Sequence, residues 1–106
     1  DNAIVNLSSA LEYQQSSVIS RVLLKNAGGT ITLFAFDAGE GLSEHKTPYD
    51  AFLNVVEGTA RIRIADAEHT LSAGDSIILP ADIPHAVDAE TQFKMLLVMI
   101  KAPKSA

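Results

Sequence analysis

Two histidines of this chain stand in similar surroundings, and they are the residues best placed to share a chemical task. His45 lies in GEGLSEHKTPYDAFLNVVEG, residues 39–58, and His85 in GDSIILPADIPHAVDA, residues 74–89. Each stretch joins a glycine turn, a proline and a single histidine at the mouth of a strand. An imidazole titrates near ~6.5, so each ring can act as a general acid or base at neutrality, or as a neutral ligand to a divalent ion. Residues two apart on a strand share a face, so Thr47 and Ala51 are in phase with His45. A threonine hydroxyl is a poor ligand for such an ion and alanine is none. Two imidazoles completed by water would hold zinc, nickel or copper only weakly, because stable sites use three or four protein ligands. The carboxylates of Glu44 and Asp50 are near in sequence, but each lies an odd number of residues from His45 and so out of phase unless a bulge intervenes.

The rest of the chain must position that pair. Its 106 residues form one domain, large enough for one core. With 47% hydrophobic and 20% charged residues it belongs among folded globular chains. Eight basic residues against thirteen acidic ones give a net charge of −5, which leaves no cationic surface for nucleic acid. The absence of cysteine excludes disulfides, thiolate metal sites and a cysteine nucleophile. The longest apolar run, Met95 to Ile100, is far short of the ~20 residues that span a bilayer, and no signal segment opens the chain, so a soluble cytoplasmic protein is expected. The start at Asp1, without an initiator methionine, leaves room for an upstream stretch.

Residues 1–17 read as an N-terminal arm: Ile4 and Val5 extended, then a serine-capped helical turn through Leu11. From Val18 a β-branched and aliphatic run ends at the turn Asn26-Ala27-Gly28-Gly29, and Thr30 to Phe36 returns, apolar on both faces. Phe52 to Val56 forms the next strand after the His45 stretch, with a tight hairpin at Glu57-Gly58. Thr59 to Ile64 then alternates, Ala60, Ile62 and Ile64 inward, Arg61 and Arg63 outward. Turns at Asp66-Ala67 and Ala73-Gly74-Asp75 set off His69 to Leu71 and Ile77 to Leu79, and Pro80 and Pro84 bracket a loop into His85. Phe93 to Ile100 is apolar on both faces, and residues 101–106 read as a frayed tail. Strands at this spacing, with no helical period, predict an all-β fold, an antiparallel sandwich or barrel.

The two histidine stretches resemble the paired motifs of the cupin superfamily, over about Gly39 to Ala89. Gly39, five residues and His45 match the start of the first motif, and Glu57-Gly58 its end. Gly74, five residues, Pro80 and then His85 match the second. Thr47 stands where the family has its second histidine, Ala51 at its glutamate, Asp82 at a glycine and Ala89 at an asparagine. The resemblance implies a small jelly-roll barrel, the double-stranded β-helix of single-domain RmlC-like cupins. In the family, three histidines and a glutamate converge on one divalent metal, commonly iron, manganese, nickel, copper or zinc; here only His45 and His85 would remain as metal ligands. His69 matches no ligand position and reads as structural.

These readings lead to a site for a small organic molecule, a weakly held divalent metal, or both, with no organic cofactor. Thr47, Ala51, Phe34, Phe36, Phe52 and Met95 are expected to line the pocket. His45 and His85 would be ligands or an acid/base pair if the protein is an enzyme; a metal-free, non-catalytic binding or sensing cupin is the alternative, and a storage role suits longer two-barrel chains. The outward apolar residues of Thr30 to Phe36 and Phe93 to Ile100 call for a second subunit, so a homodimer is expected. Both imidazoles should point into one end of the barrel.

Overall fold

In this computed structural model, residues 3–103 are described. They form nine strands and no α-helix. In chain order these are β1 (Val18–Asn26), β2 (Gly29–Phe36), β3 (Gly41–His45), β4 (Tyr49–Glu57), β5 (Thr59–Ile64), β6 (Ala67–Ser72), β7 (Ser76–Leu79), β8 (His85–Ala89) and β9 (Phe93–Lys101). A five-stranded sheet, β1-β2-β9-β4-β7, packs on a four-stranded sheet, β3-β8-β5-β6, and every pairing is antiparallel. This is the predicted all-β jelly roll.

Alternation decides what fills the interior. On β4 the residues Ala51, Leu53 and Val55 are buried, and across the sandwich Ala60 and Ile62 of β5 and Val87 and Ala89 of β8 meet them in one core. Phe36 and Phe93 stack at 4.4 Å between ring centroids, with Phe34 6.0 Å from Phe36, and close one end of the sandwich. Phe52 carries the opposite phase. Its register partners are Val98 and Ile78, and at 38% exposure it projects from the outer face of the five-stranded sheet, so it does not line the interior.

Towards Phe36 and Phe93, β2 and β9 are covered on both faces, and the outer cover comes from the same chain. Leu33 and Ala35 are fully buried beside Lys94, which pairs with Ala35 in the sheet and is itself buried. The Lys94 ammonium donates to the Ser8 carbonyl, lies 4.9 Å from the centre of the Tyr13 ring and sits 3.7 Å from Glu57 Oε2. Tyr13 donates to the same carboxylate oxygen at 2.6 Å, and burial, followed by that contact, raises its pKa above the ordinary tyrosine value. The N-terminal arm is thus strapped across the outer face by a buried ammonium that has found a carbonyl, a carboxylate and a ring face. Its single turn is capped by Asn6 rather than by a serine: Asn6 Oδ1 accepts from the Ser8 and Ser9 amides, and Asn6 O from Ala10 N. At the other terminus Lys101 is the last residue of β9, its amide donating to Gly28 O, so the strand runs one residue into the expected tail; residues 104–106 lie outside the described ones.

The β5–β6 hairpin turns through Ala65 and Asp66, and Ala65 is held at φ 51°. Left-handed backbone burdens an L-residue with a Cβ by about 1–2 kcal/mol, and asparagine tolerates it better. Ala65→Asn should therefore raise stability by about 0.5–1 kcal/mol, read as a higher urea midpoint at unchanged slope. A lower midpoint would contradict the strain.

Candidate functional site

The end of the sandwich opposite the phenylalanine stack holds the histidines. β3 and β8 are antiparallel neighbours, and their register slips between Leu42, opposite Val87, and His45, opposite His85. Three steps on β3 thus match two on β8. Without this bulge Leu42 and His45 would face opposite sides, and with it both look inward. His85 is only 8% exposed, on the same face as core residues Val87 and Ala89, whereas His45 at the strand end is open to solvent. The two rings meet edge to face, 4.4 Å between centroids at 67°.

Each ring is oriented by the main chain two residues before it. His45 Nδ1 lies 2.8 Å from Ser43 O, and His85 Nδ1 3.3 Å from Ile83 O. A carbonyl only accepts, so each neutral ring carries its proton on Nδ1 and keeps a free lone pair on Nε2. Burial, and then the neighbouring His45, lowers the His85 pKa below the ordinary value, with the contact to Ile83 opposing. Near neutrality His85 is an acceptor or ligand, not a cation.

The surrounding loops are tied down. Asp82 N donates to Thr47 O at 2.8 Å, Ala81 N to Asp50 Oδ1 at 2.8 Å and Ala65 N to Pro84 O at 2.8 Å. Asp82, where the motif carries glycine, is at φ 63°, the left-handed conformation that aspartate accepts more readily than most residues. Thr47 lies beyond the end of β3, its hydroxyl exchanging 3.3 Å contacts with the Tyr49 backbone, so it is not the next inward position of a regular strand. Ala51, paired with Met99 and Leu79, is buried in the core on the inner face of β4. Phe36 and Met95 belong to the sealed core, with Phe34 packed against it, on sheet rows remote from the histidines.

Neither nearby carboxylate turns to the rings. Glu44 pairs with Arg63 at 3.3 Å, and Asp50 braces the loop at Ala81. Among the described residues no group of three or more His, Cys, Asp or Glu side chains is arranged to hold a metal ion. The family's four-ligand centre therefore does not fit this chain; what remains is a pair of imidazole lone pairs. His69 pairs with Ile62 on exposed β6, away from this site.

The lowered pKa of His85 carries a pH dependence. Between its folded pKa and the ordinary ~6.5 the unfolded chain binds more protons, so stability rises with pH across that window. Its contribution is present above the ordinary value and is lost as pH falls through the window. Denaturation midpoints at a series of pH values should show the decline in wild type and a flatter profile in His85→Gln; equal profiles would contradict the burial effect.

The model of the Cupin domain family matches residues 32–101, and the chain belongs to that family. Solved structures agree. A conserved protein of unknown function from Streptococcus pyogenes is 32% identical with a TM-score of 0.91, over 98% of this chain and 91% of that one. A cupin superfamily protein from Desulfitobacterium hafniense is 28% identical with a TM-score of 0.90, over 96% and 94%. A cupin 2 conserved barrel domain protein from Leptotrichia buccalis is 39% identical with a TM-score of 0.88; the match covers 92% of this chain and 47% of that protein. No curated protein matches the chain. No helix among the described residues is long and apolar enough to cross a membrane.

Proposed function

We propose that this cupin binds a small organic molecule at the open end of its sandwich, the Nε2 atoms of His45 and His85 accepting from two donor hydrogens of the ligand, such as those of a diol. The observation that supports this most is the pair itself: two rings 4.4 Å apart, both with Nδ1 turned to a main-chain carbonyl and both Nε2 lone pairs free. Half-buried Met99, packed against the core, provides an apolar wall for the body of the ligand. A second reading, a loosely held divalent ion, draws on the same Nδ1 contacts, because ligating histidines are commonly oriented by a carbonyl on the other nitrogen. With two protein ligands such an ion binds weakly and competes with protons.

Calorimetric titration of zinc, nickel and copper into tag-free protein separates these readings. Wild type should take up metal weakly or not at all, and any uptake should vanish in His85→Ala. Thr47→His should leave zinc uptake nearly unchanged, because residue 47 lies beyond the end of β3 and off its inward face; a gain of about tenfold or more would show that this position reaches the pair. Stoichiometric, tightly bound metal in wild type would overturn the metal-free reading, and equal uptake by His85→Ala would move the site elsewhere. A panel of small phenols and diols, followed by the imidazole nitrogen resonances, tests the organic ligand. Binding should shift both Nε2 signals and should be lost in His85→Ala; a panel that shifts neither counts against the proposal.

A further inference from the structure

The inward phase of the five-stranded sheet runs past the core to the end that holds the histidines. On β4 the phase of Ala51, Leu53 and Val55 reaches back to Tyr49, and on β9 that of Met95, Leu97 and Met99 runs on to Lys101. Tyr49 and Lys101 are register partners, so they form the next inward pair beyond Ala51 and Met99. Half-buried Tyr49 brings a phenol to this mouth, and exposed Lys101 an ammonium. Neither group is engaged among the described residues. Arg61 meets Glu90, Arg63 meets Glu44 and Lys94 meets Glu57, while the Tyr49 contacts to Thr47 are made by its backbone alone. Asp50, between them in the sheet, has the opposite phase and accepts from Ala81 N. A half-buried tyrosine hydroxyl ordinarily has a partner.

We propose that Lys101 and Tyr49 hold the carboxylate of a small dihydroxy acid whose two hydroxyls meet His45 and His85, an assignment that rests on the reading of the histidine pair given above. The polar groups at the mouth divide by sheet. The four-stranded sheet contributes acceptors, the Nε2 atoms of the two rings, because both Nδ1 atoms are turned to carbonyls. The five-stranded sheet contributes donors, the three N–H of an ammonium and one phenolic O–H. A ligand that satisfies both must donate at one end and accept at the other, and the acceptor that an ammonium holds best is an anion. A neutral polyol leaves the ammonium unused, and a dicarboxylate sets acceptors against the imidazole lone pairs. One ammonium balances one negative charge, which fits a carboxylate better than a phosphate dianion. On a chain of net charge −5 an anion is otherwise repelled, so the unpaired ammonium decides where the acid group lies. Its root is fixed, since Lys101 N donates to Gly28 O at 2.9 Å and only the stem is left to adjust.

Two matched pairs of probes test the proposal, glycerol with glycerate and catechol with protocatechuate, titrated into tag-free protein while the imidazole nitrogen resonances are followed. Each acid should shift both Nε2 signals and bind at least about tenfold more tightly than its neutral counterpart, the range of a hydrogen bond to a charged group. That advantage should shrink as salt is raised. Lys101→Met should bring the acid down to the level of the neutral probe, Lys101→Arg should keep most of the preference, and Tyr49→Phe should lose part of it. Lys46→Met makes the same charge change beside His45 and should leave the preference intact; thermal melting verifies that each variant is folded. Equal affinity for acid and neutral probe, or a preference that survives Lys101→Met, would overturn this assignment and leave the histidine pair as a diol site. If neither pair of probes shifts the Nε2 signals, the assignment and the reading of the histidine pair fall together.

Discussion

Gly58→Ala is expected to remove about 4 kcal/mol or more of folding free energy, a large share of what a domain of this size possesses. Gly58 is held at φ 80° in the β4–β5 turn, and a Cβ placed there would lie 2.0 Å from Gln92 O and under 3 Å from both Phe93 Cα and Phe93 Cβ. Those atoms belong to the main chain entering β9 and to the root of a ring stacked on Phe36. Neither can retreat as the tip of a flexible side chain would. Relief therefore requires the start of β9 to move, which unstacks the rings that close the sandwich. Gly74→Ala provides the control: its φ of 94° carries the same backbone penalty, about 1–2 kcal/mol, but nothing lies within 4 Å of the added methyl. The difference in urea midpoints isolates the collision. Equal losses for the two variants would show that the collision contributes nothing.

Lys94→Ala is expected to cost about 2–3 kcal/mol, because it removes the buried stem that fills the space under the arm and the ammonium that meets the Ser8 carbonyl, with a smaller share from the part-exposed Glu57 carboxylate. Glu57 would keep only the Tyr13 hydroxyl, and the Ser8 carbonyl would lose its donor. Lys94→Met retains the stem without the charge and should be milder. Limited proteolysis supplies a readout that a generally weakened core would not mimic: cleavage within residues 3–17 should accelerate before the barrel itself is cut. If the arm of Lys94→Ala resists protease as wild type does, its attachment lies elsewhere. The double-mutant cycle with Glu57→Gln then measures the charged contact alone.

What could be read from the chain depended on how local the deciding contact was. Thr59 to Ile64 alternates because one face is buried and one wet, and the hairpin at Glu57-Gly58 needed nothing beyond a turn. The meeting of His45 and His85 followed from motif spacing. The bulge that turns His45 inward has no signature of its own in Ser43 or Glu44. Phe52 was misjudged as pocket wall because Phe52 and Leu53 are both apolar, and only burial on both sides of β4 shows which is inside. The arm was visible as a segment, but not its destination: Ser8 and Lys94 are separated by 86 positions, and no local pattern encodes that contact. The commitments of Glu44 to Arg63 and of Asp50 to Ala81 were hidden for the same reason.

The margins of the five-stranded sheet bear on how this protein behaves at high concentration. A flat outermost strand offers a row of free amides and carbonyls on which further chains can add without end, the route to fibres. Here one margin is β1, kinked by a bulge between Val22 and Leu24 and flanked by Arg21 and Lys25, and the other is β7, only four residues long. Neither is a good template for edge-to-edge growth. The protein should therefore stay clear and filament-free under conditions in which sheets with long, flat margins grow into fibres.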